Sequence, residues 1–182
     1  AETTVGQFRE FVAAEKYVTD GEKNGGGHAH DAKAVWKHRP GTSWKKPGFA
    51  GPFKLLDSQP VVHVSHHDSL QFCAWLNHSL ARSTKGKPQP KFTLPTEAQW
   101  EWACRAGSPH RFWWGPDVDE TGKVANVGDR TLKTVHPEWP RGTMPMSDGY
   151  AFPAPVRSFR ANAFGLHHIC LLYTSPSPRD TA

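Results

Sequence analysis

The chain has 182 residues, the length of one ordinary domain, and it is long enough to bury a hydrophobic core. Hydrophobic residues make up 37% of it, and its 16 Gly and 16 Pro follow no period, which excludes collagen-like, coiled-coil and wholly disordered structures. The net charge of +5 comes from scattered basic residues, so we expect no nucleic-acid partner, and no apolar run approaches the roughly 18 residues of a membrane segment. Three Cys without Cys-x-x-Cys spacing argue against a disulfide scaffold or a zinc finger.

The first part of the chain predicts an amphipathic helix followed by a long loop. Thr4 can serve as an N-cap, and residues 4–16 place apolar side chains at helical spacing on one face. Residues 19–59 contain a Gly-Gly-Gly run and two Pro-Gly pairs, which predict a loop. A loop of this length in a compact domain is typically functional or pinned by aromatic side chains. The aromatic candidates are Trp36, Trp44, Phe49 and Phe53.

A short strand and a capped helix are predicted next. Residues 60–64 (PVVHV) have the composition of a strand. Ser65 and Asp68 then form a capping-box pattern that begins a helix extending to about Arg82. The inner face of this helix is predicted to carry Leu70, Phe72, Cys73, Trp75 and Leu76.

The remainder predicts a second short strand and one more helix. Residues 91–94 are the strand, Thr96 repeats the capping-box pattern with Gln99, and Gly107 is a natural helix end. Residues 108–168 show only short segments between turn residues. These elements together predict an α+β fold with little regular secondary structure.

Three segments carry specific sequence motifs. They are PVVHVSHHDS at residues 60–69 with FCAWL at 72–76, LPTEAQWEWACRAG at 94–107, and NAFGL at 162–166. In order and spacing they resemble the formylglycine-generating enzyme family, also called the sulfatase-modifying factor domain, over about residues 2–169. The resemblance implies a fold akin to a C-type lectin domain. It also implies a relation to copper-dependent oxidases that convert a Cys in a Cys-x-Pro-x-Arg sequence of sulfatases to formylglycine.

The sequence departs from the family pattern after Ile169. Members of the family continue with a Gly-Asn-Val-Trp-Glu-Trp-like block and later carry two cysteines that hold the copper. Here residues 170–182 read CLLYTSPSPRDTA, which is rich in Pro and Ser and has no packing pattern. We therefore predict a partial domain over residues 1–169 that is incomplete at its C-terminus, and a non-native tail over residues 170–182. The chain itself is predicted to be an inactive monomer, while copper and a sulfatase polypeptide are expected only for an intact catalytic parent.

The resemblance also implies a structural calcium site. Members of the family place an Asn and the next backbone carbonyl opposite an Asp-Gly-aromatic turn. The matching positions are Asn126 and Val127, then Asp148 and Tyr150. Asn126 and Asp148 would supply side-chain oxygens, while Val127 and Tyr150 would supply main-chain oxygens, a mixture typical of calcium sites. The alternative is a pair of ordinary Asx turns.

Two groups of histidines are weaker candidates for metal ligands. His63, His66 and His67 could together form a metal site. His63, however, lies on the predicted strand and points to a different face from His66 at the helix start, so the three side chains do not converge. The family most often has Trp at the position of His66. We therefore expect packed or solvent-facing histidines here, and regard His28 and His30 in the Gly-rich loop as weaker candidates still.

Three further groups favour structural over chemical roles. Cys73 and Cys104 lie on inward helix faces and are expected to be inert buried thiols. Glu97 and Glu101 are one helical turn apart, and we expect them to stabilise the helix rather than to act as an acid/base pair. Core packing is favoured over sugar stacking for four tryptophans, namely Trp100, Trp102, Trp113 and Trp114.

Three functions stay open at this point. The first is the partial formylglycine-generating domain described above. The second is a non-catalytic lectin-like binding or accessory module. The third is the similar domain of an iron-dependent sulfoxide synthase of an ergothioneine-type pathway, whose iron ligands lie in a separate helical domain. The sequence of the intact protein after Ile169 discriminates between the first two, because copper-binding cysteines there would favour the oxidase. The sequence indicates no cellular compartment.

Overall fold

The computed structural model describes residues 1–30, 35–49, 51–83, 90–139 and 142–169. Within these ranges the regular elements are few and mostly short, which confirms a mixed helix and strand fold with little regular structure. In chain order they are α1 (Val5–Glu15), α2 (Asp20–Lys23), β1 (Gly26–His30), β2 (Trp36–Pro40), α3 (His66–Ser83), α4 (Glu97–Arg105), a 3₁₀ helix (Val118–Lys123) and α5 (Arg130–Val135). None of the helices in the described ranges combines the length and the apolar composition that crossing a bilayer requires.

The chain forms two compact units. The N-terminal unit comprises Thr3–Pro95 and the C-terminal unit comprises Ala1–Glu2 with Thr96–Ala182. Residues 170–182, which we predict to be a non-native tail, lie outside the described residues.

Helix α1 forms where the sequence predicts a helix. The Thr4 hydroxyl accepts a hydrogen bond from the Gln7 backbone N–H, and the Gln7 side chain accepts one from the Thr4 N–H, a reciprocal capping box. The helix ends at Lys16, which is left-handed with a φ of 48°. Because apolar residues recur at helical spacing, α1 buries Phe8 and Phe11 on one face.

Aromatic rings fill the core of the N-terminal unit. Phe8 packs edge-to-face on Phe11 and on Trp44, with 5.4 Å between ring centroids in both pairs. Trp44 is fully buried, as expected of a residue that pins the long loop. From α3 the core receives Phe72, while Leu70 is 42% exposed, so the predicted inner position of Leu70 is wrong. Residues two apart on a helix point about 200° apart, and Phe72 occupies the inner side.

The segment predicted as a continuous loop, residues 19–59, contains regular structure. It holds the short helix α2 and an antiparallel hairpin of β1 and β2. Trp36 lies on this hairpin and is 60% exposed, so it does not pin the loop. Phe49 and Phe53 pack on each other with ring centroids 4.9 Å apart. The hairpin was missed because its strands, GGHAH and WKHRP, do not show alternating apolar residues.

The two strands predicted at residues 60–64 and 91–94 do not form. The first segment makes only an isolated bridge between Pro60 and Thr4, and the second has no strand partner among the described residues. The Asn77 side chain satisfies the backbone hydrogen-bonding groups of Phe92 that a neighbouring strand would otherwise pair. Its amide donates to the Phe92 carbonyl and accepts from the Phe92 N–H, both at 2.8 Å.

In the C-terminal unit, α4 begins and ends as predicted. Thr96 and Gln99 form the capping box, Ala106 is left-handed, and Gly107 follows with a φ of 82°. The side-chain amide of the buried Asn162 donates to the carbonyls of Ala103 and Cys104, which belong to the last turn of α4. Asn162, the first residue of the NAFGL motif, therefore satisfies backbone carbonyls at the C-terminal end of α4.

One buried carboxylate organises the N-terminal unit. Asp68 has no exposed surface, and its Oδ1 accepts hydrogen bonds from the Tyr17 hydroxyl at 2.8 Å and from the Asp20 backbone N–H at 3.1 Å. Its Oδ2 accepts from the Ser65 backbone N–H at 2.8 Å, while the Asp68 N–H donates back to the Ser65 hydroxyl. Asp68 thus joins the segment after α1, the first turn of α2 and the start of α3.

We expect Asp68→Asn to lower the free energy of unfolding by about 3 kcal/mol, because an amide group cannot accept from every donor that faces it and a buried donor is left unpaired. Glu10→Gln is the matched control, because it also replaces a carboxylate with an amide, but at an exposed position of α1. Urea unfolding of the 182-residue chain followed by circular dichroism measures both. Equal stability of the two variants would contradict the role of Asp68.

Candidate metal site at Asn126 and Asp148

Two loop segments of the C-terminal unit run side by side and build the candidate site. The Met144 N–H donates to the Gly128 carbonyl at 2.9 Å, and the Arg130 N–H donates to the Met146 carbonyl at 3.2 Å. A parallel bridge pairs Asp129 with Met144. These backbone bonds bring the sequence ANVGD at residues 125–129 next to SDGY at residues 147–150.

The Asp148 carboxylate stands at the centre of this pairing. Its Oδ2 accepts from the Val127 N–H at 2.7 Å and from the Asn126 side-chain amide at 3.0 Å. Its Oδ1 accepts from the Tyr150 N–H at 2.7 Å, which forms an Asx turn. The Asn126 amide also donates to the Tyr150 carbonyl at 3.2 Å. The structure therefore brings all four residues of the predicted calcium site together.

The donors and acceptors of this cluster suit a hard cation. The Asn126 amide lies against two oxygens, one from the Asp148 carboxylate and one from the Tyr150 backbone. Rotating the Asn126 side-chain amide by 180° exchanges the positions of Nδ2 and Oδ1. The Asn126 Oδ1 then becomes a third oxygen beside the other two. Carboxylate, amide and carbonyl oxygens are the ligands that calcium takes in proteins. The recorded contact of Val127 is through its N–H, so the structure gives its carbonyl no part in the cluster.

A second aspartate, not predicted from the sequence, fixes the position of Asp148. Asp129 is fully buried, and its Oδ1 accepts from the N–H groups of Thr131 and Leu132, which caps α5. Its Oδ2 accepts a short hydrogen bond from the Asp148 backbone N–H. In the sequence, Asp129 directly precedes the residues that form α5, and an Asp at this position favours a helix N-cap.

Gly149 gives the turn its required backbone conformation. Its φ is 87°, in the left-handed region, and a Cβ placed there would meet no atom within 4 Å. The need for glycine is therefore one of backbone conformation and not of space. This turn directs the Tyr150 carbonyl toward Asn126.

The histidine group of the N-terminal unit is divided between different surroundings. His63 has a positive φ of 56°, and its Nε2 lies 2.8 Å from the Pro47 carbonyl, as expected of a packed residue. His66 is exposed. His67 Nδ1 lies 3.5 Å from Asp20 Oδ2 and 3.4 Å from the Tyr17 hydroxyl.

Asp20, which sequence reasoning did not single out, completes a cluster with His67 and Asp68, whose ligand atoms lie within 4.8 Å of one another. Both carboxylates of this cluster, those of Asp20 and Asp68, already accept hydrogen bonds from groups of the chain. The Ser65 hydroxyl donates a hydrogen bond to Asp20 Oδ2 at 2.6 Å. This hydrogen bond is the main reason that the pKa of Asp20 is lowered. Burial, together with the hydrogen bond to Asp68, raises the pKa of Tyr17. The cluster therefore acts as a structural network between α2 and α3.

Comparison with known proteins shows the family of the chain. A family model described as the sulfatase-modifying factor enzyme 1-like domain matches residues 1–170. The chain belongs to this family. A curated relative, the formylglycine-generating enzyme of Thermomonospora curvata, is 33% identical over 187 residues, which cover 90% of this chain and 52% of that protein. The hercynine oxygenase of Mycobacterium tuberculosis is 29% identical over 143 residues, covering 70% of this chain and 26% of that protein.

A solved structure, that of PvdO from Pseudomonas aeruginosa, superposes with a TM-score of 0.56 at 22% identity and covers 92% of this chain and 50% of that one. This likeness concerns the fold alone. The sulfatase-modifying factor domain described here thus spans about half the length of the curated relatives it matches.

The two described cysteines of this sulfatase-modifying factor domain are not an activated pair. Burial raises the pKa of the Cys73 thiol and of the Cys104 thiol, so both stay protonated at neutral pH. They lie in different units, and Cys104 Sγ donates a short hydrogen bond to the Ile169 carbonyl. A copper(I) site needs thiolates, and these two thiols do not fit it. Cys170 lies outside the described residues.

Helix α4 of this domain carries the remaining candidates. Glu101 Oε1 accepts from Arg105 Nε at 2.9 Å, an (i, i+4) ion pair that stabilises the helix, as the sequence predicts. The prediction of core packing is wrong for Trp102, which is 67% exposed and packs at a tilted angle of 44° against Phe164, with ring centroids 4.8 Å apart. The other three tryptophans of that group are half-buried, namely Trp100, Trp113 and Trp114.

Proposed function

We propose that this chain is part of a formylglycine-generating oxidase whose substrate is a cysteine of a sulfatase polypeptide, and that its C-terminal unit is held in shape by a calcium ion. The Asp148 cluster carries the calcium part of the proposal, and the similarity to formylglycine-generating enzymes carries the oxidase part. Four residues that the family resemblance assigns to calcium converge in this chain around a single carboxylate. The relative from Thermomonospora curvata, which matches 90% of the chain, supports the assignment of activity.

In this proposal the chain supplies a scaffold rather than the reacting groups. Asn126, Asp148 and the Tyr150 carbonyl would hold the calcium, which would fix two loops that hydrogen bonds alone now connect. The long irregular segments of such a domain agree with the C-type-lectin-like fold that we propose for it. A rigid scaffold matters because a substrate peptide must be positioned closely for reaction at one carbon atom.

Copper, when bound in the intact protein, would supply the activation of oxygen. Conversion of the cysteine CH₂–SH group to an aldehyde breaks the carbon–sulfur bond, releases the sulfur as hydrogen sulfide and removes two electrons. Reduction of oxygen to water takes four electrons, so the reaction needs a second two-electron donor such as a thiol. Cys73 and Cys104 do not fit copper, and we assign no step of this reaction to them. The copper ligands of the proposed oxidase would come from outside the described residues.

A second candidate function is that of the related domain in a hercynine oxygenase. The similarity to the enzyme of Mycobacterium tuberculosis over 143 residues favours it. The Asp148 cluster is compatible with both functions, because in either protein it would act as a scaffold. Substrate tests on the intact protein separate them.

We expect the 182-residue chain to bind one calcium ion in isothermal titration calorimetry. Asp148→Asn should weaken that binding at least about tenfold, since it removes the formal charge of the site. Calcium at about 100 times the dissociation constant should raise the free energy of unfolding by about 2.7 kcal/mol. Asp119→Asn, an exposed aspartate of the 3₁₀ helix, is the control and should bind normally. Absence of heat and of thermal stabilisation would refute the calcium assignment.

The intact protein, supplied with copper, oxygen and a thiol reductant, should convert a Cys-x-Pro-x-Arg peptide to an aldehyde that an aminooxy probe captures. A peptide with Ser in place of Cys is the control and should stay unlabelled. The 182-residue chain alone should give no aldehyde. Oxygen consumption with hercynine, a thiol and iron in place of copper, but none with the peptide, would favour the second candidate. Activity with neither substrate would favour a non-catalytic module.

A further inference from the structure

The β1–β2 hairpin pairs two histidines whose positions follow from the strand register. Gly26 lies opposite Pro40, His28 opposite His38, and His30 opposite Trp36. Pro40 has no N–H, so the pair it forms with Gly26 cannot exchange two hydrogen bonds. Hydrogen-bonded and non-hydrogen-bonded pairs alternate along an antiparallel ladder, so His28 and His38 also form a non-hydrogen-bonded pair. Side chains approach each other most closely in such pairs.

One face of the hairpin carries these residues and the other face is packed. Side chains alternate along a strand, so His28 and His38 share a face with Trp36, which is 60% exposed. Ala29 points to the opposite face and is buried, with 6% of its surface exposed. The hairpin therefore packs through the Ala29 face, and both His28 and His38 are exposed.

The two imidazole rings have the spacing of a chelating pair. The ring centroids of His28 and His38 are 5.5 Å apart, and the ring planes meet at 74°. Two imidazoles that bind one tetrahedral ion at metal–nitrogen distances of about 2.0–2.1 Å have centroids about 5 Å apart. Among the described residues, neither ring makes a hydrogen bond or an ion pair, so their nitrogens are available.

We propose that His28 and His38 together bind one divalent transition-metal ion on the exposed face of the hairpin, with water completing the coordination. Imidazole nitrogens suit Zn²⁺, Ni²⁺ and Cu²⁺, and Cu²⁺ binds most tightly to a given set of nitrogen ligands. A bound ion cross-links β1 to β2. The site is separate from the Asp148 cluster in residues and in ligand chemistry, and it does not depend on the proposed oxidase function.

Trp36 supplies a local reporter for this site. Its ring stacks beside His28, with a centroid distance of 6.2 Å and an interplanar angle of 23°. Cu²⁺ bound to His28 would lie close enough to quench the fluorescence of the exposed Trp36 indole. Trp36→Phe should therefore remove most of the quenching that Cu²⁺ causes, while the affinity measured by calorimetry stays the same.

The test is titration of the 182-residue chain with CuCl₂, NiCl₂ and ZnCl₂ at pH 7.5, with calcium in excess. We expect one ion per chain and an affinity order of Cu²⁺ above Ni²⁺ and Zn²⁺. His28→Ala and His38→Ala should each weaken Cu²⁺ binding at least about tenfold, because chelation needs both rings. His78→Ala removes an exposed histidine of α3 and is the matched control.

The result that would overturn the proposal is Cu²⁺ binding that His28→Ala and His38→Ala leave as tight as in the unaltered chain. Quenching that persists in Trp36→Phe would overturn it as well, because the ion would then lie elsewhere. Circular dichroism of the two histidine variants checks that the exposed substitutions preserve the fold.

Discussion

A buried carboxylate that accepts hydrogen bonds from backbone N–H groups is the interaction on which each unit of this protein depends. With so few helices and strands, most backbone donors have no partner from a regular ladder, and a buried unpaired donor costs about 1–3 kcal/mol. Asp68 accepts from the backbone N–H groups of Asp20 and Ser65 and from the Tyr17 hydroxyl, and so joins three segments of the N-terminal unit. Asp129 does the same in the C-terminal unit. Both carboxylates are fully buried.

The candidate metal site follows from this arrangement. Asp129 holds the backbone of Asp148, Asp148 holds Asn126 and Val127, and so the site is organised before any ion binds. Loops carry the functional residues of many proteins, provided that a rigid framework positions them. In this chain the framework at the site consists of a buried carboxylate, that of Asp129, within irregular segments rather than of regular strands.

The local signals in the sequence predicted those parts of the fold that local interactions decide. The capped helices α1, α3 and α4 could be predicted because Thr or Ser and a carboxylate or amide three residues later satisfy the first backbone donors. The predicted strands at 60–64 and 91–94 failed, since strand formation depends on partners distant in sequence. At Phe92 that partner is the Asn77 side chain. The cluster at Asp148 was predicted through family resemblance. Asp20 acts through contacts with residues distant in sequence, and the local N-cap pattern at Asp129 does not show its contact with Asp148.

Amide hydrogen exchange tests the central role of the two carboxylates most directly. The reporting amides lie at helix starts or in turns and donate to a carboxylate rather than to a ladder; they are those of Asp20, Ser65, Thr131 and Asp148. We predict slow exchange at all four, with protection lost at the first two in Asp68→Asn and at the last two in Asp129→Asn. Exchange of these amides in the unaltered chain as fast as in exposed loops would contradict the account.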